Sequence, residues 1–463
     1  MIDHKECRLG VCPIGKFAFS HEDAKVQKNA VMDNLRELGL DYADIEEAVP
    51  DGLVRSKDQA AAVVAYLKEK QVDALFMPHC NFGTEDATGI IARELDVPVL
   101  LWAPRDGAPL ADGSRLRDSL CGSFAASKVL HTMGVKFDYI ENCRVEDGAF
   151  RRGMELFLGA VRVVKAVKTA RIGQIGIRIP FFWCTVIDEA RLLNQLGVQV
   201  YPFDMVEFIE RYRTRLKKDG KKYEEELREI RKWLDPGNIA EQGMLTSLAM
   251  KDELFEMAEQ NGIDAYAIQN FDSLTVDMGE GSGLGGALAE ERIPVAAETD
   301  IHGALSSIII EAAANGREPS FFPEFTIRHP QNDNAVLMWH ASAPPSLRDP
   351  QKGKVSIREP WILKSLPATS LQFPLKNGEL TVCRFDGNNG EYRIGTGEGK
   401  AIDGPQTREV YTWYEVDDWP KWERRLIEGP YVHHVSCLYG NYSDILEKAC
   451  RFLPGVVCER FDR

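Results

Sequence analysis

The 463-residue chain has no run of eighteen apolar residues, no Cys-x-x-Cys pair and no excess of positive charge. The first absence excludes a membrane-spanning helix, which needs about that length of apolar chain. The second excludes a zinc ribbon. The ten cysteines, at 7, 12, 80, 121, 143, 184, 383, 437, 450 and 458, are too scattered for a disulfide framework. The third weighs against nucleic acid and anionic membranes as partners, since 71 acidic residues against 56 basic ones leave a net charge of −15. The opening MIDHKECRLGV lacks the basic-then-apolar pattern of a secretory leader, so a cytoplasmic enzyme is expected. Sugars and metal cations stay compatible with this balance.

What is present is an ordinary soluble composition, 44% apolar and 27% charged. The length suits about three domains of roughly 150 residues. Residues 1–165 alternate strand and helix patterns: strands at 8–13 (RLGVCP), 72–78 (VDALFMP) and 98–103 (PVLLWA), helices at 21–40 and 60–70. Such alternation implies a doubly wound parallel sheet, with ligands beyond the carboxyl ends of its strands, here the loops 79–86 (HCNFGTED) and 104–107. Residues 166–320 repeat that grammar. RIGQIGIRI (171–179) resembles the opening RLGVCPIG, and LNQLGVQV matches NLRELGLDY. The densely charged stretch 207–234 reads as a solvated helix, or a helix pair broken at Gly220. From 321 to 463 strand-like runs separated by turn residues predict a β-rich, barrel-like domain. FDGNNGEYRIG forms a Gly/Asn turn in it, and a helix at 443–452 closes the chain. The expected fold is therefore α/β, with two Rossmann-like parallel-sheet domains followed by a β-rich C-terminal one.

The chemistry concentrates at 270–302 and 433–434. Asp277 with Glu280, and Glu298 with Asp300, are carboxylates at strand ends, the oxygen ligands a hard divalent cation needs. Capping of helix N-termini is the competing use of each. A GxGxxG match at Gly281, Gly283 and Gly286 offers an alternative, an NAD(P)-dependent oxidoreductase with Glu298 as the ribose acid. It falls late in its domain and follows two carboxylates that would repel a pyrophosphate. His433 and His434 supply imidazoles. Adjacent residues on a strand face opposite ways, so one of the two at most ligates a given ion.

These segments resemble the L-fucose and L-arabinose isomerase superfamily. ETDIHGAL (298–305) is similar to that family's acid-x-Asp-x-x-(Gly/Ala)-Ala-Leu segment. Glu280 stands where the family has a second acidic ligand, with Asp277 as the fallback. His434 and Gly440 match a His-x5-Gly segment before a terminal helix, and WHASAPP (339–345), NFGTE and CGSFAASKVLHTMG look like further family segments. The resemblance implies an aldose–ketose isomerase working through an enediol. Mn2+, or another divalent ion such as Co2+ or Mg2+, would be held by Glu280, Asp300 and His434, and Glu280 and Asp300 would also move the proton. Glu298, His340 and His433 would lie beside the metal or against the sugar. It also implies a homo-oligomer, a hexamer, in which the Asn81–Glu85 loop of one chain reaches a neighbour's site. A non-catalytic sugar-binding homologue is the remaining alternative. The sequence does not name the sugar.

Overall fold

Apolar runs interleaved with amphipathic stretches fold as two doubly wound sheets and one larger mixed sheet. The computed structural model describes residues 7–270, 273–362, 367–388 and 390–463. The first six residues, on which the reading of the leader partly rests, and Asn389 of the expected Gly/Asn turn lie outside the described residues.

One compact unit comprises Lys5–Lys165 with Arg451–Leu453. Its elements are β1 (Leu9–Val11), α1 (His21–Glu37), β2 (Tyr42–Ala43), α2 (Ala60–Glu69), β3 (Ala74–Pro78), α3 (Glu85–Leu95), β4 (Val99–Trp102), α4 (Ser119–Thr132), β5 (Phe137–Tyr139) and α5 (Gly148–Thr169), within which the division falls. The sheet is parallel in the order β2-β1-β3-β4-β5. β3 and β4 are buried throughout, which is why ALFMP and VLLW read as unbroken apolar runs and not as alternating ones. α1 begins where the Ser20 hydroxyl accepts from Asp23 N, and it stops at Gly39, whose φ of +67° a side chain would resist.

The other unit comprises Ala166–Cys450 with Pro454–Arg463. It opens with β6 (Arg171–Ile175), α6 (Glu189–Leu196), β7 (Gln199–Phe203), α7 (Met205–Ile230), β8 (Leu234–Asp235), α8 (Glu241–Asn261), β9 (Ala265–Ile268), α9 (Ser273–Met278), α10 (Gly283–Ala289), β10 (Val295–Ala297) and α11 (Ile301–Ala313). β7-β6-β9-β10 form a parallel sheet whose order matches β2-β1-β3-β4. The repeated Leu-Gly falls at the same place in both, since Gly197, at φ +79°, ends α6 as Gly39 ends α1. The charged stretch is one helix, α7, kinked at Asp219 (φ −116°, ψ 23°), one residue before the expected break at Gly220.

The remaining strands are β11 (Glu324–Arg328), β12 (Ala335–His340), β13 (Val355–Arg358), β14 (Ser370–Pro374), β15 (Gly378–Asn388), β16 (Glu391–Ile402), β17 (Val410–Glu415), β18 (Ser436–Tyr439) and β19 (Val456–Arg460), with α12 (Trp419–Glu428) and α13 (Ser443–Cys450). They form a ten-stranded mixed sheet along β18-β15-β16-β17-β14-β13-β8. β8, from the α/β half of the sequence, joins it parallel to β13. A shared core follows, in which Tyr223, Leu248 and Leu284 pack with Val382, Tyr414 and Trp422.

α10 packs against α8 so closely that a Cβ on Gly285 would stand 1.9 Å from the Ser247 carbonyl oxygen. Because that neighbour is backbone, it has no rotamer escape. Gly285→Ala should destabilise the protein by about 1–3 kcal/mol. Urea unfolding should show a lower midpoint at unchanged slope, and an unchanged midpoint would contradict the packing.

Candidate functional site

At the carboxyl end of β10 the chain makes an unusual turn. Glu298 and Thr299, neither of them glycine, both have left-handed backbones, φ +61° and +56°. Such residues cost on the order of 1–3 kcal/mol each and persist only where surroundings over-determine them. Here the Asn270 side chain accepts from Glu298 N at 3.2 Å, Ile268 O accepts from Thr299 N at 3.2 Å, and the Thr299 hydroxyl donates to Ile177 O at 3.2 Å. Asp300 then caps α11, accepting from Gly303 N at 2.9 Å.

His434 is fixed from the opposite side. Its extended segment pairs with residues 321–325, through Val435 N to Pro323 O at 2.9 Å and Phe325 N to His433 O at 3.0 Å. Its ring stands edge-on between two carboxylates, with Nδ1 3.0 Å from Asp300 Oδ2 and Nε2 3.2 Å from Glu298 Oε2. His340, at the end of β12, completes the group, and Phe322 packs against both imidazoles at centroid distances of 5.9 and 5.1 Å.

One ligand atom from each of Glu298, His340 and His434 lies within 4.8 Å of the others, and all three residues are buried. Glu298 Oε2, His340 Nε2 and His434 Nε2 are enclosed without a hydrogen-bond partner, the 3.2 Å contact being misaligned for one. Buried polar atoms are seldom left so, because desolvation without a partner costs about 1–3 kcal/mol per atom. Two imidazoles and a carboxylate with converging lone pairs suit a first-row divalent cation. The cluster could hold one.

Arg384 anchors the arrangement from beneath. It is fully buried on β15, with Nη1 2.6 Å from Asp300 Oδ2, Nη2 3.3 Å from Asp300 Oδ1 and Nε 3.0 Å from Asp386 Oδ2. Asp386 in turn meets His302 Nδ1 at 3.0 Å. Burial alone would raise the Asp300 carboxyl. The Arg384 charge and the bonds from His434 and Arg384 outweigh it and hold that carboxyl well below the usual carboxylate range. Burial would likewise lower His434, but the Asp300 hydrogen bond and the charges of Asp300 and Glu298 bring it up to about 9 without a metal. His340 has no such partners, so burial, reinforced by the charges of His434 and His433, brings it down to about 3 and keeps it neutral.

The structure divides the residues expected from sequence. Asp300 and His434 meet, but both Asp300 oxygens are engaged by Gly303, Arg384 and His434. Through Nδ1 it orients the His434 ring. Glu298 and His340, expected beside the metal, supply the converging atoms instead. Glu280 is elsewhere, accepting from Ala240 N at 3.1 Å at the start of α8. Asp277 is taken by the Tyr212 hydroxyl and Arg213. His433 packs on His434 but turns towards Glu324, 4.0 Å away, and burial with the His434 charge brings it down to about 4. In the N-terminal unit, Asn81 accepts from Gly83 N at 3.2 Å and Glu85 pairs with Lys16 at 3.1 Å in the first turn of α3.

Two residues escaped the sequence reading. Arg384 carried a usable signal, a lone charge inside the apolar strand run LTVCRF. Glu324, in FFPEFT, carried none. Burial, opposed by the His434 charge and aided by Glu298 and Glu409, brings its carboxyl up to about 7.

The glycines at 281–286 follow α9 and do not directly follow a strand, so the context of a dinucleotide fingerprint is missing. Close packing accounts for Gly283, where a Cβ would meet Thr369 O at 2.2 Å, and the backbone accounts for Gly281, at φ +80°. Among the described residues no helix is long and apolar enough to cross a membrane.

A carboxylate after one parallel strand, β10, thus meets two imidazoles carried by the segments of the mixed sheet in a buried Glu/His/His cluster. Residues 10–168 match the family model of the fucose/sulfoquinovose isomerase N-terminal domain. The chain is 23% identical to sulfoquinovose isomerases of Priestia aryabhattai and Priestia megaterium (strain ATCC 12872 / QMB1551) over 458 residues, 95% of this chain and 96% of each relative. It is 25% identical to that of Alkalicoccus urumqiensis over 351 residues, 72% of this chain and 73% of the relative. The match of the N-terminal third to a fucose isomerase-like family model and the similarity over nearly the whole chain to named sugar isomerases support an aldose–ketose sugar isomerase.

Removing the Arg384 charge would leave two buried carboxylates without their cation. Arg384→Met should therefore cost about 3–5 kcal/mol in chemical denaturation, and Arg384→Lys, which keeps the charge but loses the fork, less. Equal stability of Arg384→Met and the parent protein would show that the pair is not structural.

Proposed function

We propose that this chain is a metal-dependent aldose–ketose isomerase that moves a proton between C1 and C2 of an open-chain sugar through an enediol. The observation that carries the reading is the convergence of three unpartnered, buried ligand atoms in a chain related over its whole length to named sugar isomerases. Glu298, His340 and His434 would hold the cation, Mn2+ by family resemblance, which when bound supplies a Lewis acid for adjacent sugar oxygens. Arg384 pins Asp300, and Asp300 holds His434 Nδ1, so that Nε2 keeps its lone pair towards the cluster. Glu324 is the proton carrier best matched to neutral pH, its carboxyl lying near 7 beside His434 and Glu298. Phe322 walls the imidazoles from water. A cytoplasmic homo-oligomer, a hexamer, and the contribution of the Asn81–Glu85 loop to a neighbour's site complete the reading on family resemblance.

Metal analysis tests the ligand set. The Mn2+-loaded parent protein should retain one ion per chain. Glu298→Gln, His340→Ala and His434→Ala should each weaken retention at least tenfold, and Glu280→Gln should leave it unchanged. Loss of metal in Glu280→Gln with retention in Glu298→Gln would reverse the assignment. Absence of any aldose–ketose interconversion by the metal-loaded protein would end the isomerase reading.

The raised His434 adds a sign to the pH dependence. Below about 9 the metal-free imidazole is protonated, so binding must displace that proton and affinity should rise with pH, about tenfold per unit, levelling above about 9. Calorimetry at pH 7 in buffers of different ionisation enthalpy should show about one proton released per ion. None released would contradict the charge state.

A further inference from the structure

Beside His340 lies a cavity of about 140 Å3 bordered by α9, α10 and the 340–342 segment. At about 30 Å3 of liquid per water it has room for several waters, or for the carbon chain of a small polyol. Met250, Leu274 and Phe322 supply apolar wall, while Asn270, Ser342 and Glu290 supply hydrogen-bonding groups. Glu290 Oε1 lies 3.1 Å from the Ser342 hydroxyl, and the buried carboxyl has no cation beside it among the described residues. Burial, opposed by the Ser342 bond and aided by Glu291, pushes it up to about 8, so at neutral pH it keeps a proton to donate.

The wall has a second unusual feature. Gly286 sits within α10 with an ordinary helical backbone, and a Cβ there would meet nothing within 4 Å. Neither strain nor close packing requires glycine at 286, although glycine costs about 1 kcal/mol against alanine inside a helix. Its missing side chain leaves the cavity open.

We infer that this cavity is the subsite for the hydroxyl-bearing tail of the sugar, with Glu290 and Ser342 as its hydrogen-bonding pair and Gly286 as the residue that keeps it open. The inference rests on the isomerase reading, because His340 lines the cavity and belongs to the metal cluster. An open-chain sugar with C1 and C2 at the cluster runs past His340 into the cavity. The described polar groups of its wall, Asn270, Ser342 and Glu290 among them, suit the hydroxyls of such a tail.

The test uses the full-length Mn2+-loaded protein and galactitol, a neutral polyol that cannot isomerise, with binding followed by calorimetry. Gly286→Val and Glu290→Leu should each weaken galactitol binding at least tenfold at unchanged metal content, Glu290→Gln and Gly286→Ala less. On any neutral aldose the protein converts, Gly286→Val should raise KM more than it lowers kcat. Should Gly286→Val retain its metal and bind galactitol like the parent protein, or should the parent not bind galactitol at millimolar concentration, the subsite is wrong. Galactitol binding that follows these variants in a protein converting no sugar would instead uphold the cavity and refute the isomerase reading.

Discussion

The buried contact between Asp300 and Arg384 is the constraint on which the site depends. Neither group has any solvent to fall back on, so the pair is tolerable only because every polar atom is used. Asp300 accepts from the first turn of α11, from the guanidinium and from His434, and the other edge of Arg384 meets Asp386. One carboxylate thereby ties together a helix start, strand β15 and the segment carrying a candidate ligand. The orientation of the His434 ring is set by this tie as much as by its own backbone.

The left-handed pair Glu298–Thr299 follows from that arrangement. With Asp300 committed to the cap and to Arg384, the preceding carboxylate turns towards the imidazoles only if the backbone reverses locally. Asn270, Ile268 and Ile177 hold the reversal in place. The strain is local and sits where two imidazoles and a carboxylate must converge, the usual company of functional chemistry.

The glycines of 281–286 show how one motif can serve two physical ends. Gly283 and Gly285 let α10 approach neighbouring backbone, whereas Gly286 has free space and borders the cavity beside His340. The spacing resembles a phosphate-binding loop only on paper, because the preceding element is a helix and Gly283 and Gly285 are spent on packing. β8 makes a similar point about organisation. Two residues from the α/β half enter the large sheet, so the helices around them share a core with its strands.

Much of the architecture was legible in the chain itself. Unbroken apolar runs marked buried parallel strands, Leu-Gly pairs marked the helix ends of a repeated unit, and a Gly/Asn turn marked the β15–β16 hairpin, because each depends on local preference and on the period of apolar residues. Asp300 and His434 stood out as well, through the residues flanking them, and the structure brings the two into contact. The division of labour between neighbours was not legible. Glu298 and Asp300 are two residues apart and chemically alike, and which one faces the cluster is decided by Arg384, 84 residues away from Asp300. Glu280 and Asp277 looked equally suitable, yet a helix start and an arginine claim them. Composition and spacing therefore determined the fold class and the kind of atoms at the site. Only the tertiary structure assigned the lone pairs, because a carboxylate's role is set by the partners that reach it first, and those partners come from distant strands.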